Sequence, residues 1–167
     1  MKFTWNQDFN IICGTPAIGK TTMGQKYENV IDLASSPYKY LDWDPKLAER
    51  NKGAWKHPNP NYIRDYIEAI IKHAKSYDLV LLTMSRGVRA ALDERNIKYA
   101  CAYSPPGARE IIRQRLLERG NGIDFVNREM SIFDERAEAN EQLRDCLKIK
   151  IPPEQFLEQA LMGYQTN

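Results

Sequence analysis

Apolar runs of four to six residues alternate along this chain with longer segments that carry a helical stripe. Residues 9–13 form a short apolar run that stops at Gly14, and 20–27 then lacks helix breakers except Gly24, a strand–loop–helix signature. Val30, Ile31, Asp32 and Leu33 read as a second strand, and 34–60 is rich in Pro, Asn, Ser and Trp without steady periodicity, so it is irregular or only partly helical. From Tyr62 the apolar positions Tyr62, Ile63, Tyr66, Ile67, Ile70, Ile71 and Ala74 follow the i, i+3, i+4 spacing of an amphipathic helix, with Asn61 placed as its N-cap. Residues 79–84 are apolar throughout, as in a central parallel strand covered on both faces, and Ser85 is placed to cap a helix through Arg95. A strand over 97–103 follows. The Pro105-Pro106-Gly107 break precedes a helix over 108–119, which Gly120-Asn121-Gly122 ends with residues that tolerate left-handed backbone. A longer helix over 124–143, an alternating edge strand over 147–151, the Pro152-Pro153 stop and a closing helix over 154–161 complete the chain. Five strands separated by helices predict a three-layer α/β fold with a mainly parallel sheet.

Composition narrows the class. A length of 167 residues fits a single domain over 1–167, and 43% hydrophobic with 28% charged residues is ordinary globular usage. No apolar run approaches a membrane span, and the first residues lead into polar sequence and not into a signal-peptide core, so the expectation is a cytoplasmic protein with no membrane partner. Cys13, Cys101 and Cys146 are far apart and lack metal-ligand spacing, which points to free thiols and away from zinc. A net charge of +2 is too small to argue for a nucleic-acid partner.

The candidate chemistry begins at Gly14-Thr15-Pro16-Ala17-Ile18-Gly19-Lys20-Thr21, which matches the phosphate-binding loop G-x-x-x-x-G-K-[ST] at every fixed position. It sits after a predicted strand and before a predicted helix, the context that the motif requires. Glycines let successive backbone N–H groups point inward, and the helix N-terminus adds partial positive charge, so residues 14–22, ending at Thr22, are expected to cradle a triphosphate. Lys20 is expected to bridge the β and γ phosphates, and Thr21 to place its hydroxyl on Mg²⁺. The second acidic signal usual in such proteins is missing. The strand over 79–84 ends in Thr83 and Met84, followed by Ser85, while Asp78 lies before it, at the end of the sheet away from the site, and reads as structural. This absence disfavours GTPases and motors relative to small kinases. Ser85 is either a support for magnesium or a plain N-cap.

Phosphoryl transfer develops negative charge that one lysine does not cover, so kinases bring arginines to the site. Arg115 and Arg119 share the apolar side of their helix with Ile112 and Leu116, whereas Glu110, Gln114 and Glu118 mark the solvated side. Together with Gly120 and Gly122 as hinges they make 105–123 a candidate lid; the alternative is snorkelling or internal ion pairing. Arg89, just beyond the third strand, is placed either to hold the acceptor or on a solvated helix face. Asp32 ends the second strand on the loop's edge of the sheet, with Ser35 and Ser36 beyond it, which outlines an acceptor pocket. Asp32 would act as general base toward a hydroxyl, would only bind or position a phosphate, or else closes a turn. Tyr38, Tyr40, Trp43 and Trp55 are candidates to stack on a base, or are core.

With the loop, the Asp32-x-x-Ser35-Ser36 segment, the Asn61-Tyr62-Ile63 helix start, Ser85 with Arg89, and Arg115-x-x-x-Arg119-Gly120-Asn121 in order, the chain resembles P-loop nucleotide kinases. In particular it is similar to small adenylate-kinase-like proteins of bacteriophages and prophages, over about residues 11–161. It departs from better-known nucleoside monophosphate kinases in lacking their Asp-Gly-[FY]-Pro-Arg segment. The resemblance implies a P-loop NTPase fold with sheet order 2-3-1-4-5, a helical lid carrying Arg115 and Arg119, and ATP with Mg²⁺ as phosphoryl donor. The expected reaction moves the γ-phosphate of ATP to a nucleoside or deoxynucleoside monophosphate. The alternatives are a kinase acting on a hydroxyl of a nucleoside or of a modified base in DNA, and a nucleotide-binding regulatory module without transfer.

Overall fold

The computed structural model describes residues 1–48 and 57–166. Five strands form one sheet: β1 (Ile11–Gly14), β2 (Val30–Leu33), β3 (Leu79–Thr83), β4 (Ala100–Tyr103) and β5 (Leu147–Lys150). Their order is β2-β3-β1-β4-β5 and every pairing is parallel, with Ile12 against Leu81 and Ala100, Asp32 against Leu81, and Ala102 against Ile149. The parallel α/β sheet is as expected from the sequence pattern, and its order is the one that the resemblance implies.

Strand alternation sorts the core into two layers, because successive side chains point to opposite faces. Ile12, Val30, Leu79, Leu81, Ala100 and Ala102 face one side, where they pack with Ile18 and Met23 of the loop and α1 (Lys20–Lys26) and with Leu157 and Leu161 of α8 (Leu157–Thr166). Ile11, Cys13, Val80, Leu82 and Cys101 face the other, against Tyr66, Ile67 and Ile70 of α4 (Tyr62–Ala74) and Val88 and Leu92 of α5 (Arg86–Glu94). A third cluster joins α6 (Arg109–Glu118) to α7 (Ile123–Gln142) through Ile112, Leu116, Val126 and Met130, with Ala17 of the loop packed against it. The segment expected to be a lid is therefore the first helix of a packed hairpin resting on the phosphate loop. Gly120, at φ 82°, makes the turn between the two helices.

Several expectations shift locally. The irregular stretch contains two one-turn helices, α2 (Ser36–Lys39) and α3 (Pro45–Ala48), and a bridge between Tyr40 and Pro58. Asn61 occupies the N-cap position of α4 without a side-chain cap bond. Asn59 organises this start instead: its Oδ1 accepts from Asn61 N–H at 2.9 Å, and its Nδ2 donates to Asp65 at 3.0 Å and to Tyr38 O at 2.9 Å. Ser85 likewise precedes α5 without capping it through its side chain. The closing helix begins at Leu157 and not at residue 154, because the prolines set a turn, Gln155 N–H to Pro152 O at 2.9 Å, before Leu157 N–H docks on Ile18 O at 2.8 Å. Asp78 is structural, as read: it accepts from Asn29 Nδ2 at 2.7 Å, at the sheet end away from the loop. All three cysteines are free, with Cys101 Sγ 3.4 Å from Cys146 Sγ. Among the described residues no helix is long and apolar enough to cross a membrane.

Candidate functional site

Because all strands run the same way, their carboxyl ends emerge together, and the loop after β1 lies centrally among them. Its start is held from both sides. Thr15 N–H donates to Ala102 O of β4 at 3.1 Å, Met84 N–H donates to Gly14 O at 3.0 Å, and the buried Ser104 donates its N–H to Thr15 Oγ1 at 3.3 Å. Ala17, at φ 60°, and Gly19, at φ 99°, put two left-handed turns into the loop, the conformation that curls backbone amides into a concave nest. Met23 N–H is bonded to Gly19 O at 3.1 Å in the first turn of α1, so the amides of Lys20, Thr21 and Thr22 head the helix without intrahelical partners. Ile18 turns inward and is fully buried, which anchors the loop from below.

The two motif glycines serve different needs. Gly19 is required by its positive φ, whereas Gly14 is required by space: a Cβ there would stand 2.6 Å from Ile18 Cδ1 and 3.1 Å from Lys20 Cδ. Lys20 folds back over Gly14, its Nζ donating to Gly14 O at 3.1 Å and Thr15 O at 2.8 Å. These are neutral acceptors. Burial, against the opposing charge of Asp32 and with a smaller contribution from the Arg119 charge, pushes the Lys20 pKa down to about 8. A polyanion seated in the nest would restore the charged form, so binding above pH 8 requires proton uptake. We expect triphosphate affinity to be level below about pH 8 and to fall by up to about tenfold per pH unit above it. Calorimetry in buffers of different ionisation enthalpy checks this, through a proton uptake that appears only on the alkaline side.

Around this loop the expected residues separate into those that the fold brings together and those that it does not. Thr21 Oγ1 donates to Asp32 Oδ2 at 2.7 Å, which joins the head of α1 to the end of β2. Arg115 reaches the loop, but its guanidinium is committed to carbonyls: Ala17 O at 3.3 Å, Pro153 O at 3.4 Å and Gln155 O at 3.1 Å, with the Phe156 ring 3.9 Å away. It ties α6 to the loop and to the segment after β5. Arg119, one turn on, is exposed, and its charge lies close enough to influence Lys20. Ser85 sits at the end of β3, next to β1, with its hydroxyl not spent on capping.

Ser35 and Ser36 lie past the end of β2, but the Ser35 side chain bonds the Tyr62 hydroxyl. Arg89 does not face the loop. Its guanidinium lies beside Cys101, with Tyr99 and Cys146 nearby, and its Nε is buried with no hydrogen-bond partner among the described residues. Tyr38 is occupied in a stack with Tyr66, at 5.3 Å, which continues to Tyr62 at 5.8 Å, so it is core. Tyr40 takes the Lys39 ammonium 5.9 Å from its ring, Trp43 is half-buried, and Trp55 lies outside the described residues.

Two contributors went unread in the sequence. Ser104 gave no signal beyond its place after an apolar run. The segment 152–156 announced itself only as a proline stop, yet it supplies the carbonyls and ring that receive Arg115.

The residues present would fit a triphosphate on these grounds: a loop with left-handed backbone at Ala17 and Gly19, helix-head amides without intrahelical partners, and an ammonium hydrogen-bonded to the carbonyls of Gly14 and Thr15. No family model matches the chain, and no curated protein does. Among solved structures it is similar to an uncharacterized protein from Eubacterium ventriosum ATCC 27560, at 15% identity and a TM-score of 0.49, covering 96% of this chain and 97% of that one. That likeness is too loose to inform function.

Proposed function

We propose that this chain is a P-loop phosphotransferase that binds ATP over residues 14–22 and moves its γ-phosphoryl group to a small acceptor. The observation that carries the reading is the Lys20 ammonium, held over a left-handed loop at the head of α1 by hydrogen bonds to Gly14 O and Thr15 O. ATP with Mg²⁺ would supply the transferable group and the metal charge that offsets the polyphosphate. Lys20 would exchange two neutral carbonyl acceptors for anionic phosphate oxygens, and the amides of residues 20–22 would donate to phosphate oxygens. Arg119 adds positive charge at the mouth, while Arg115 holds α6 in the position from which Arg119 reaches it.

The acceptor favoured by the family resemblance is a nucleoside or deoxynucleoside monophosphate, bound toward Ser85 and the end of β2. A second reading, a hydroxyl acceptor on a nucleoside or a modified DNA base, gains from one observation. Arg89 was placed either to hold the acceptor or on a solvated helix face, and it lies beside Cys101, which leaves one cation fewer for an acceptor phosphate. A screen of ADP release across all ribo- and deoxynucleoside monophosphates and nucleosides tests the proposal. Turnover with one monophosphate is the expected result, and turnover with nucleosides alone selects the second reading. ATP binding with no turnover on any acceptor would leave a regulatory module and sink the transferase.

A further inference from the structure

The sequence lacks an acid at the end of β3, where a phosphate-binding protein of this topology would be expected to support its metal, and Thr83, Met84 and Ser85 stand there instead. β2 provides one from the neighbouring strand. Val30 and Asp32 alternate onto the face covered by α1, and Asp32 Oδ2 accepts the Thr21 hydroxyl proton at 2.7 Å. The direction of this bond matters. A hydroxyl whose hydrogen is spent on a carboxylate keeps its oxygen lone pairs for a cation, and it does not turn its hydrogen toward the metal or donate it to a phosphate.

Gly24 supplies an independent observation. A glycine inside a seven-residue helix costs about 1 kcal/mol relative to alanine, so its position asks for a reason. A Cβ at Gly24 would lie 3.0 Å from Asp32 N and 3.2 Å from Asp32 Cβ. Glycine is thus what lets α1 close onto β2 at Asp32, and Thr21 is one turn earlier on the same helix. The close approach and the hydrogen bond belong to one arrangement.

We propose that Asp32, delivered from β2, is the positioning residue of the metal site, orienting Thr21 Oγ1 toward the divalent cation that accompanies the triphosphate. This rests on the reading of residues 14–22 as a triphosphate site, and it replaces the general-base role that Asp32 was expected to play toward a hydroxyl acceptor. The acid missing from β3 is supplied from the strand beside it, through a hydroxyl, so Thr21 would hold the cation and Asp32 would hold Thr21.

The test is the gain in ATP affinity on adding Mg²⁺, measured as the ratio of Kd in EDTA to Kd in Mg²⁺, with folding checked by thermal melting. The variants are Asp32→Ala, Thr21→Val, their combination and Gly24→Ala. Second-layer partners of metal ligands are worth about 10- to 100-fold in metal affinity. Asp32→Ala and Thr21→Val are each expected to lose most of the Mg²⁺ gain, read as the Kd ratio so that any change in metal-free affinity divides out, and the double variant to be no worse than either. Gly24→Ala, which touches neither nucleotide nor metal, is expected to lose the gain too by holding α1 off β2. A merely structural Asp32 would weaken ATP equally with and without Mg²⁺, and a general base would leave the gain intact; either result overturns the proposal. Wild-type protein that binds no ATP in either condition overturns the triphosphate reading itself, a failure distinct from an unchanged Mg²⁺ gain in Asp32→Ala.

Discussion

Lys20→Met should lower phosphoryl transfer by roughly 10²- to 10³-fold, the range seen when one preorganised donor is removed from developing charge. Methionine keeps the apolar stem that lies over Gly14 and removes only the ammonium. The free protein should not suffer for it. Burial depresses the Lys20 pKa to about 8, so at neutral pH the folded chain holds this charge against a solvation penalty that the carbonyls of Gly14 and Thr15 and the nearby Asp32 charge offset only in part. The sign follows from linkage. A lysine whose pKa falls on folding binds its proton less tightly in the native state, so its protonation works against stability below about pH 8, and that opposition fades as pH rises toward the ordinary lysine value. Lys20→Met is therefore expected to have a Tm at pH 7 at least equal to wild type while transfer collapses. A residue kept for stability would show the opposite pairing, a lower Tm with retained turnover.

Gly14→Ala should damage both properties at once. The added methyl would meet Ile18 Cδ1 at 2.6 Å, and Ile18 is fully buried beneath the loop, so it has no open space to move into. Overpacking of this kind costs about 1–3 kcal/mol. The same methyl presses on Lys20 Cδ and lifts the ammonium from its carbonyls, so ATP affinity should fall by about 10- to 100-fold, the worth of a misplaced charge-assisted contact. Thermal melting and equilibrium titration read the two effects separately. Gly19→Ala makes a useful contrast, since its strain comes from φ 99° and its new Cβ meets only Phe156, at 3.2 Å.

The layers of this fold were legible because each strand declares itself locally. Leu79 to Leu82 are apolar on both faces, and only a central parallel strand buries both. The curled loop over 14–21 was legible for the same reason, since its eight residues are contiguous and their backbone conformation is set within them. What the sequence hides is direction. Arg89 stands beside Val88 on α5, and nothing in the helix tells whether it leans toward the loop or the sheet; the thiols that receive it come from β4 and from the turn before β5. Arg115 was correctly placed on the inward side of α6, but its acceptors are 98, 38 and 40 residues away in the chain, so its commitment to Ala17, Pro153 and Gln155 emerges only from the fold. Asp32 was placed on the right edge of the sheet, and its partner was hidden because Thr21 meets it across the α1–β2 turn.

The central claim, that residues 14–22 seat a triphosphate by its phosphates, is tested most directly by titrating wild type and Lys20→Met with Mg²⁺-ATP and with AMP. Wild type should bind ATP at least about 100-fold tighter than AMP, and Lys20→Met should lose most of that preference, because the selective contacts are made to the β and γ phosphates. Equal affinity for ATP and AMP in the wild type, or a preference for ATP that survives Lys20→Met unchanged, would contradict the account.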